Sequence, residues 1–189
     1  MRKKLQNKQG KQDEKGRVPT RKLASIDYVL GYENRDVVAT FRRYYSIGRR
    51  EAARLWQDML RFLWLGEAAA RQGYTGGIPM YPWQVLMDEM WHCFILHSED
   101  YAAFCQRYFG TFLHHRPSSR KVVRTRDVDA TRIQATIDGT IELAYDLLGA
   151  RVAKRWFMHY PRRYSHEFVQ SRRVPIAEAY DAGVTRAAR

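Results

Sequence analysis

The apolar pattern predicts an all-α protein, a compact bundle of five to six helices with a disordered basic N-terminal tail. Three observations carry that expectation. Apolar residues recur at steps of three and four in several separate windows, and no window alternates as a strand would. Glycine and proline fall between those windows. Hydrophobic residues at 45% and aromatics at 13% supply enough apolar surface to offset the entropy of ordering the middle of the chain.

The ends read differently. Residues 1–22 are rich in Lys, Arg and Gln, with Gly10, Gly16 and Pro19 as breakers, so they have no face to bury and are expected to be disordered. A single helical domain is expected over residues 23–170, followed by a C-terminal tail over 171–189 whose order the pattern does not fix. Asp13 and Glu14 argue against a transit peptide, and no leading apolar stretch resembles a secretory signal. With only Cys93 and Cys105 present, the expected setting is cytoplasmic, with free thiols. The most apolar windows, 55–65 and 85–96, are broken by Arg61, Asp88, Glu89 and His92 and fall short of the roughly 20 residues of a membrane span, so they are expected in the core.

Taken in order, Val37, Val38, Phe41, Tyr44 and Tyr45 predict a first helix that Ser46, Ile47 and Gly48 end. Ala52, Leu55, Trp56, Met59, Phe62 and Leu63 predict a second, closed by Gly73. Gly76, Gly77, Pro79 and Pro82 then force an irregular connection, which lacks the lysine and hydroxyl of a phosphate loop. Residues 83–97 are apolar almost all round and predict a third helix, central and buried on several sides. Ser98, followed by Glu99 and Asp100, reads as the N-cap of a fourth, which carries Tyr101, Cys105, Tyr108 and Phe112. Residues 116–126 read as an exposed basic loop. Ile133, Ile137, Ile141, Tyr145 and Leu148 predict a fifth helix ending at Gly149, and Val152, Trp156, Phe157 and Tyr160 a short sixth before Pro161.

Residues 88–117 gather four of the six histidines and both cysteines. Asp88 and His92, four apart, share a helix face, where a carboxylate can accept an imidazole N–H or both groups can approach one cation. Cys93 and His97 form a second such pair. His92 and His97 are five apart and point about 140° away from each other on a regular helix, so the two pairs cannot share an ion. Cys105 and His114 join the first pair if the fourth helix folds back on the third and the chain bends near Gly110. Asp88, His92, Cys105 and His114 would then offer the mixed N, S and O donors that suit zinc or a similar transition metal. Each residue also has a plain structural explanation: His92 held by Asp88, Cys105 as a small buried hydrophobe, His114 and His115 at a polar helix end, and the aromatics as core.

Asp88, Trp91 with His92, Ile95 with Leu96, Tyr101, Cys105, Gly110 and His114 resemble the D-x-x-W-H, Y-x-x-x-C, G-x-x-x-H series of the glycine-rich domain-containing protein-like family. The resemblance covers about thirty residues of this chain. It implies a short, single-module relative with a shared structural or ligand-binding core, and favours Asp88 and His92 over Cys93 and His97 as site positions. The chain departs from that family in having only 12 glycines, no glycine-rich region, and further histidines at 97 and 115. The resemblance supplies no reaction.

Three functions therefore compete. In the first, the chain is a metal- or ligand-binding helical protein whose reaction, if any, the sequence does not name; no serine elbow is present. A formal charge of +13 makes a nucleic acid or other polyanion a second expected partner, through the N-terminal tail, Arg116, Arg120, Lys121, Arg124 and Arg126, and Arg162, Arg163, Arg172 and Arg173. No helix-turn-helix, zinc finger or RNA-recognition signature accompanies that charge. The third is a protein-protein interaction module without ligand, docking through surface aromatics.

Overall fold

The computed structural model describes residues 22–74, 77–115, 130–175 and 177–179. Among them the chain forms nine α-helices and no strand; one isolated antiparallel bridge joins Tyr45 and Arg173. The helices are α1 (Ile26–Leu30), α2 (Arg35–Tyr44), α3 (Arg49–Arg71), α4 (Val85–Leu96), α5 (Ser98–Tyr108), α6 (Ala130–Leu148), α7 (Ala150–Lys154), α8 (Tyr160–Arg163) and α9 (His166–Arg172). A 3₁₀ turn over Pro82–Gln84 leads into α4, and a π-helical turn over Arg155–His159 joins α7 to α8.

The count exceeds the five to six helices expected because the short sixth helix expected through Val152 to Tyr160 is divided into α7, the π-helical turn and α8, and because α1 and α9 are too short for a three-and-four spacing to register. Local capping sets two of them: Ser25 accepts from the Tyr28 amide at 3.3 Å and Ser165 from the Phe168 amide at 3.1 Å. Nor does Pro161 end its helix. It lies in the first turn of α8, just after the π-helical widening, where the bond a proline cannot donate is already lost.

The long α3 occupies the centre. Leu55, Met59, Leu60 and Leu65 are wholly buried, so α3 touches neighbours on most of its circumference. Gly73 ends it in the left-handed region at φ +89°, with the Tyr74 amide donating to the Ala69 carbonyl and the Gly73 amide to that of Ala70. The central position expected for residues 83–97 is thus shared with α3, since α4 packs against α2, α3 and α5. Helix α4 buries Leu86, Met87, Met90, Cys93 and Phe94 on one side and leaves Asp88, Glu89 and His92 at its other, with Leu96 74% exposed beside them. Tyr32, Trp56, Phe94, Phe104 and Tyr108 pack ring against ring between α3, α4 and α5.

A buried ionic cluster ties the C-terminal helices to α3. Asp58 is fully buried and accepts two bonds from Arg155, at 2.7 and 2.6 Å, one from Arg61 at 3.1 Å and one from the Tyr160 hydroxyl. A carboxylate taken wholly out of water is tolerable only with such saturation. Two turns earlier on α3, Glu51 accepts from Arg163 at 2.7 Å and from the Tyr164 hydroxyl at 2.9 Å. The chain then crosses the α2–α3 junction, where the Ser46 amide donates to the Arg172 carbonyl at 2.7 Å and the Val174 amide to that of Tyr44 at 2.9 Å. The first part of the segment expected as a C-terminal tail is therefore docked, and residues 180–189 lie outside the described ones, as does the N-terminal tail up to residue 21.

Candidate metal centre

The site begins with the turn of α4 that faces away from α3. Asp88 and His92 sit one above the other there, with Glu89 alongside and the inner residues of the same turns fixed in the core. The Nε2 of His92 is 3.9 Å from Asp88 Oδ2, and its Nδ1 is 3.7 Å from Glu89 Oε2.

The third group arrives from the chain after α5. Helix α5 starts at once after α4, with His97 as the single intervening residue, so it packs back along α4. Ser98 is the first residue of α5 and His97 holds the cap position, one residue earlier than expected, without its side chain capping the helix amides. Gly110, at φ +72°, reverses the chain after α5, as expected of the residue that tolerates that conformation. Beyond it Phe112 and His114 are exposed and Leu113 and His115 are half-buried, the alternation of an extended chain.

Three anchors fix this return loop. Arg71 donates to the Phe109 carbonyl at 2.8 Å, and the Tyr101 hydroxyl donates to the Leu113 carbonyl at 2.7 Å. The same hydroxyl accepts from Trp91 Nε1 at 3.1 Å, which locks the indole against the loop. His115 then lies edge-on to Trp91, ring centroids 4.4 Å apart, and 4.6 Å from the ring of His92. Its Nε2 reaches Asp88 Oδ1 at 3.2 Å.

Each of Asp88, His92 and His115 offers one donor atom, and these atoms all lie within 4.8 Å of one another. Among the described residues no other group of His, Cys, Asp or Glu does so. The side chains are 25, 44 and 18% exposed, so the cluster is a rim site open to solvent on the His92 side.

Of the four expected ligands, the structure brings Asp88 and His92 to this cluster and places the other two elsewhere. Cys105 is wholly buried; burial pushes its thiol pKa up, while the Leu113 backbone and the Tyr101 hydroxyl beside its sulfur act in the opposite sense. It lies against the loop anchor. His114 is exposed and packs on the Phe112 ring at 5.0 Å. His115 takes the inward position, which helical spacing had no means to choose, because the segment is not helical. The alternation of adjacent side chains was a usable signal, but its phase is set by Gly110 and Leu113, not by the two histidines.

The second pair does not assemble. His97 Nε2 bonds the Thr40 hydroxyl at 3.0 Å, and Cys93 is buried, its thiol pushed up to about 12 chiefly by that burial. Behind His92, Glu89 Oε1 accepts from Arg173 at 3.4 Å, and Arg173 also donates to the Tyr45 hydroxyl at 3.2 Å. Arg163 and Arg173, expected among the polyanion-binding arginines, thus both face carboxylates of this chain. Arg116, Arg120, Lys121, Arg124 and Arg126 lie outside the described residues. No helix among the described residues is long and apolar enough to cross a membrane.

A family model described as UCP032817-like matches residues 28–137, from within α1 into α6. No curated protein and no solved structure matches the chain. The resemblance to the glycine-rich domain-containing protein-like family is thereby corrected. It rested on thirty residues around α4 and α5, and several of those, Trp91, Tyr101 and Cys105 among them, are occupied with packing and loop anchoring, duties that unrelated helical proteins share.

Proposed function

The chain belongs to the UCP032817-like family, and we propose that it binds one divalent transition-metal ion through Asp88, His92 and His115. The observation that carries this is the mutual approach of a carboxylate and two imidazoles from two separate stretches of chain, their donor atoms within 4.8 Å. Ligands 2.0–2.2 Å from a tetrahedral ion stand roughly 3.4 Å apart, so small side-chain rotations suffice to close the set.

Two imidazoles and one carboxylate form a donor set of borderline softness, suited to zinc and, with open positions, to ferrous iron. Calcium and magnesium prefer all-oxygen shells. Three protein ligands leave at least one position for water, and the exposed edge of His92 is where a substrate would reach it. An ion there would lower the pKa of that water and polarise a bound carbonyl or phosphoryl oxygen. It would also tie the return loop to α4. Family membership assigns no reaction, and the site is proposed as a metal centre without one.

Elemental analysis of untagged protein, followed by zinc titration against a chelating dye, tests it. One ion per chain is expected, retained in His114→Ala and lost in His115→Ala and His92→Ala. Folded wild-type protein that takes up no zinc, iron or cobalt would remove the proposal.

A further inference from the structure

Behind the three ligands a row of polar groups leads away from the site toward the C-terminal segment. His92 directs its two ring nitrogens at different carboxylates, Nε2 toward Asp88 at 3.9 Å and Nδ1 toward Glu89 at 3.7 Å. Glu89 is itself held from behind, since Arg173 donates to its Oε1 at 3.4 Å. Arg173 is in turn steadied by a bond to the Tyr45 hydroxyl at 3.2 Å, with its guanidinium 5.9 Å from the centre of that ring. The backbone bridge between Tyr45 and Arg173 delivers it there. These contacts connect α4, the α2–α3 junction and the segment after α9 in one line that ends at the unused nitrogen of a proposed ligand.

A histidine that binds a metal through one nitrogen commonly donates its other N–H to a carboxylate, which fixes the tautomer, orients the ring and makes it a better donor. We infer that Glu89 is the positioning residue of the metal centre, orienting His92 for coordination through Nε2, and that Arg173 holds Glu89 in that role, so that docking of the C-terminal segment completes the site. This rests on the metal centre proposed above. Glu89 is not counted as a ligand: one of its oxygens faces the far nitrogen of His92 and the other is taken by Arg173.

The test is a double-mutant cycle on full-length protein, read by zinc competition and by the visible spectrum of the cobalt-loaded form. Glu89→Gln keeps the shape and removes the charge, and is expected to weaken zinc binding by about 10- to 100-fold and to alter the cobalt bands. Arg173→Met acts through an exposed pair and is expected to weaken binding roughly 2- to 5-fold. Because Arg173 acts only through Glu89, the double variant should bind no more weakly than Glu89→Gln alone. Melting curves of the metal-free variants separate this from a folding defect, which would leave the cobalt bands of the folded fraction unchanged. Wild-type affinity and spectrum in Glu89→Gln, or full additivity in the double variant, would overturn the inference while leaving the metal centre intact. A wild-type chain that binds neither zinc nor cobalt would overturn both.

Discussion

Replacing Tyr101 by Phe removes a single oxygen from a residue that is 1% exposed, and should be felt at His115 fourteen residues away in sequence. The ring stays, so the aromatic packing against Phe94 at 5.1 Å is kept and no side-chain cavity opens. Two bonds are lost: the one donated to the Leu113 carbonyl at 2.7 Å and the one accepted from Trp91 Nε1 at 3.1 Å. Neutral bonds contribute about 1 kcal/mol each, giving roughly 2 kcal/mol in all, with about 1 kcal/mol more if the Trp91 N–H finds no water. The share belonging to Leu113 stabilises the docked return loop specifically. If that loop must be docked for His115 to reach the ion, about 1 kcal/mol corresponds to at most a fivefold loss in zinc affinity. Guanidinium unfolding of the metal-free protein followed by circular dichroism measures the first effect, and zinc competition the second. Unchanged stability would refute the two bonds as a stabilising anchor. A variant destabilised by about 2 kcal/mol that binds zinc with wild-type affinity would show that His115 is placed by something other than this loop anchor.

Other consequences follow from groups the structure buries or pairs. Asp58→Asn should cost about 3 kcal/mol or more in chemical denaturation, because Arg155 and Arg61 would be left around a neutral, mismatched amide in a fully buried position; a loss below about 1 kcal/mol would mean water already serves those guanidinium groups. The bond from Arg163 holds the Glu51 carboxyl below its ordinary value of 4.5, against an opposing effect of burial. A carboxyl lowered in the folded state contributes stability that is complete above pH 4.5 and lost as pH falls through the lowered value, so Glu51→Gln should flatten the acid limb of a stability–pH curve in that window and leave its neutral shape unchanged. Both thiols are buried and their pKa values raised, Cys93 to about 12, so iodoacetamide at pH 8 should label the native chain slowly and the unfolded chain at two positions. Rapid native labelling would show that α4 or α5 opens locally.

Much of the helical order was written in the sequence, because each long helix needed only its own residues to declare itself. The steps of three and four through Leu55, Met59 and Phe62 marked α3, and Gly73 its end, since a stripe and a left-handed cap are local properties. Residues Asp88 and His92 were legible as a pair for the same reason: a helix places i and i+4 together whatever surrounds it. The short helices α1 and α9 escaped, as did the burial of Asp58, whose partners Arg155 and Tyr160 are 97 and 102 residues away.

Which residues complete the site was decided by tertiary structure alone. His114 and His115 are neighbours with identical side chains, and one faces Asp88 only because Gly110 turns the chain and Tyr101 fixes Leu113 just before them. Arg173 reaches Glu89 because the chain after α9 returns across Tyr45. A local pattern determines which face of a helix carries chemistry. The partner for that face comes from wherever loop reversal and core packing carry the rest of the chain, and those depend on contacts that sequence spacing does not encode.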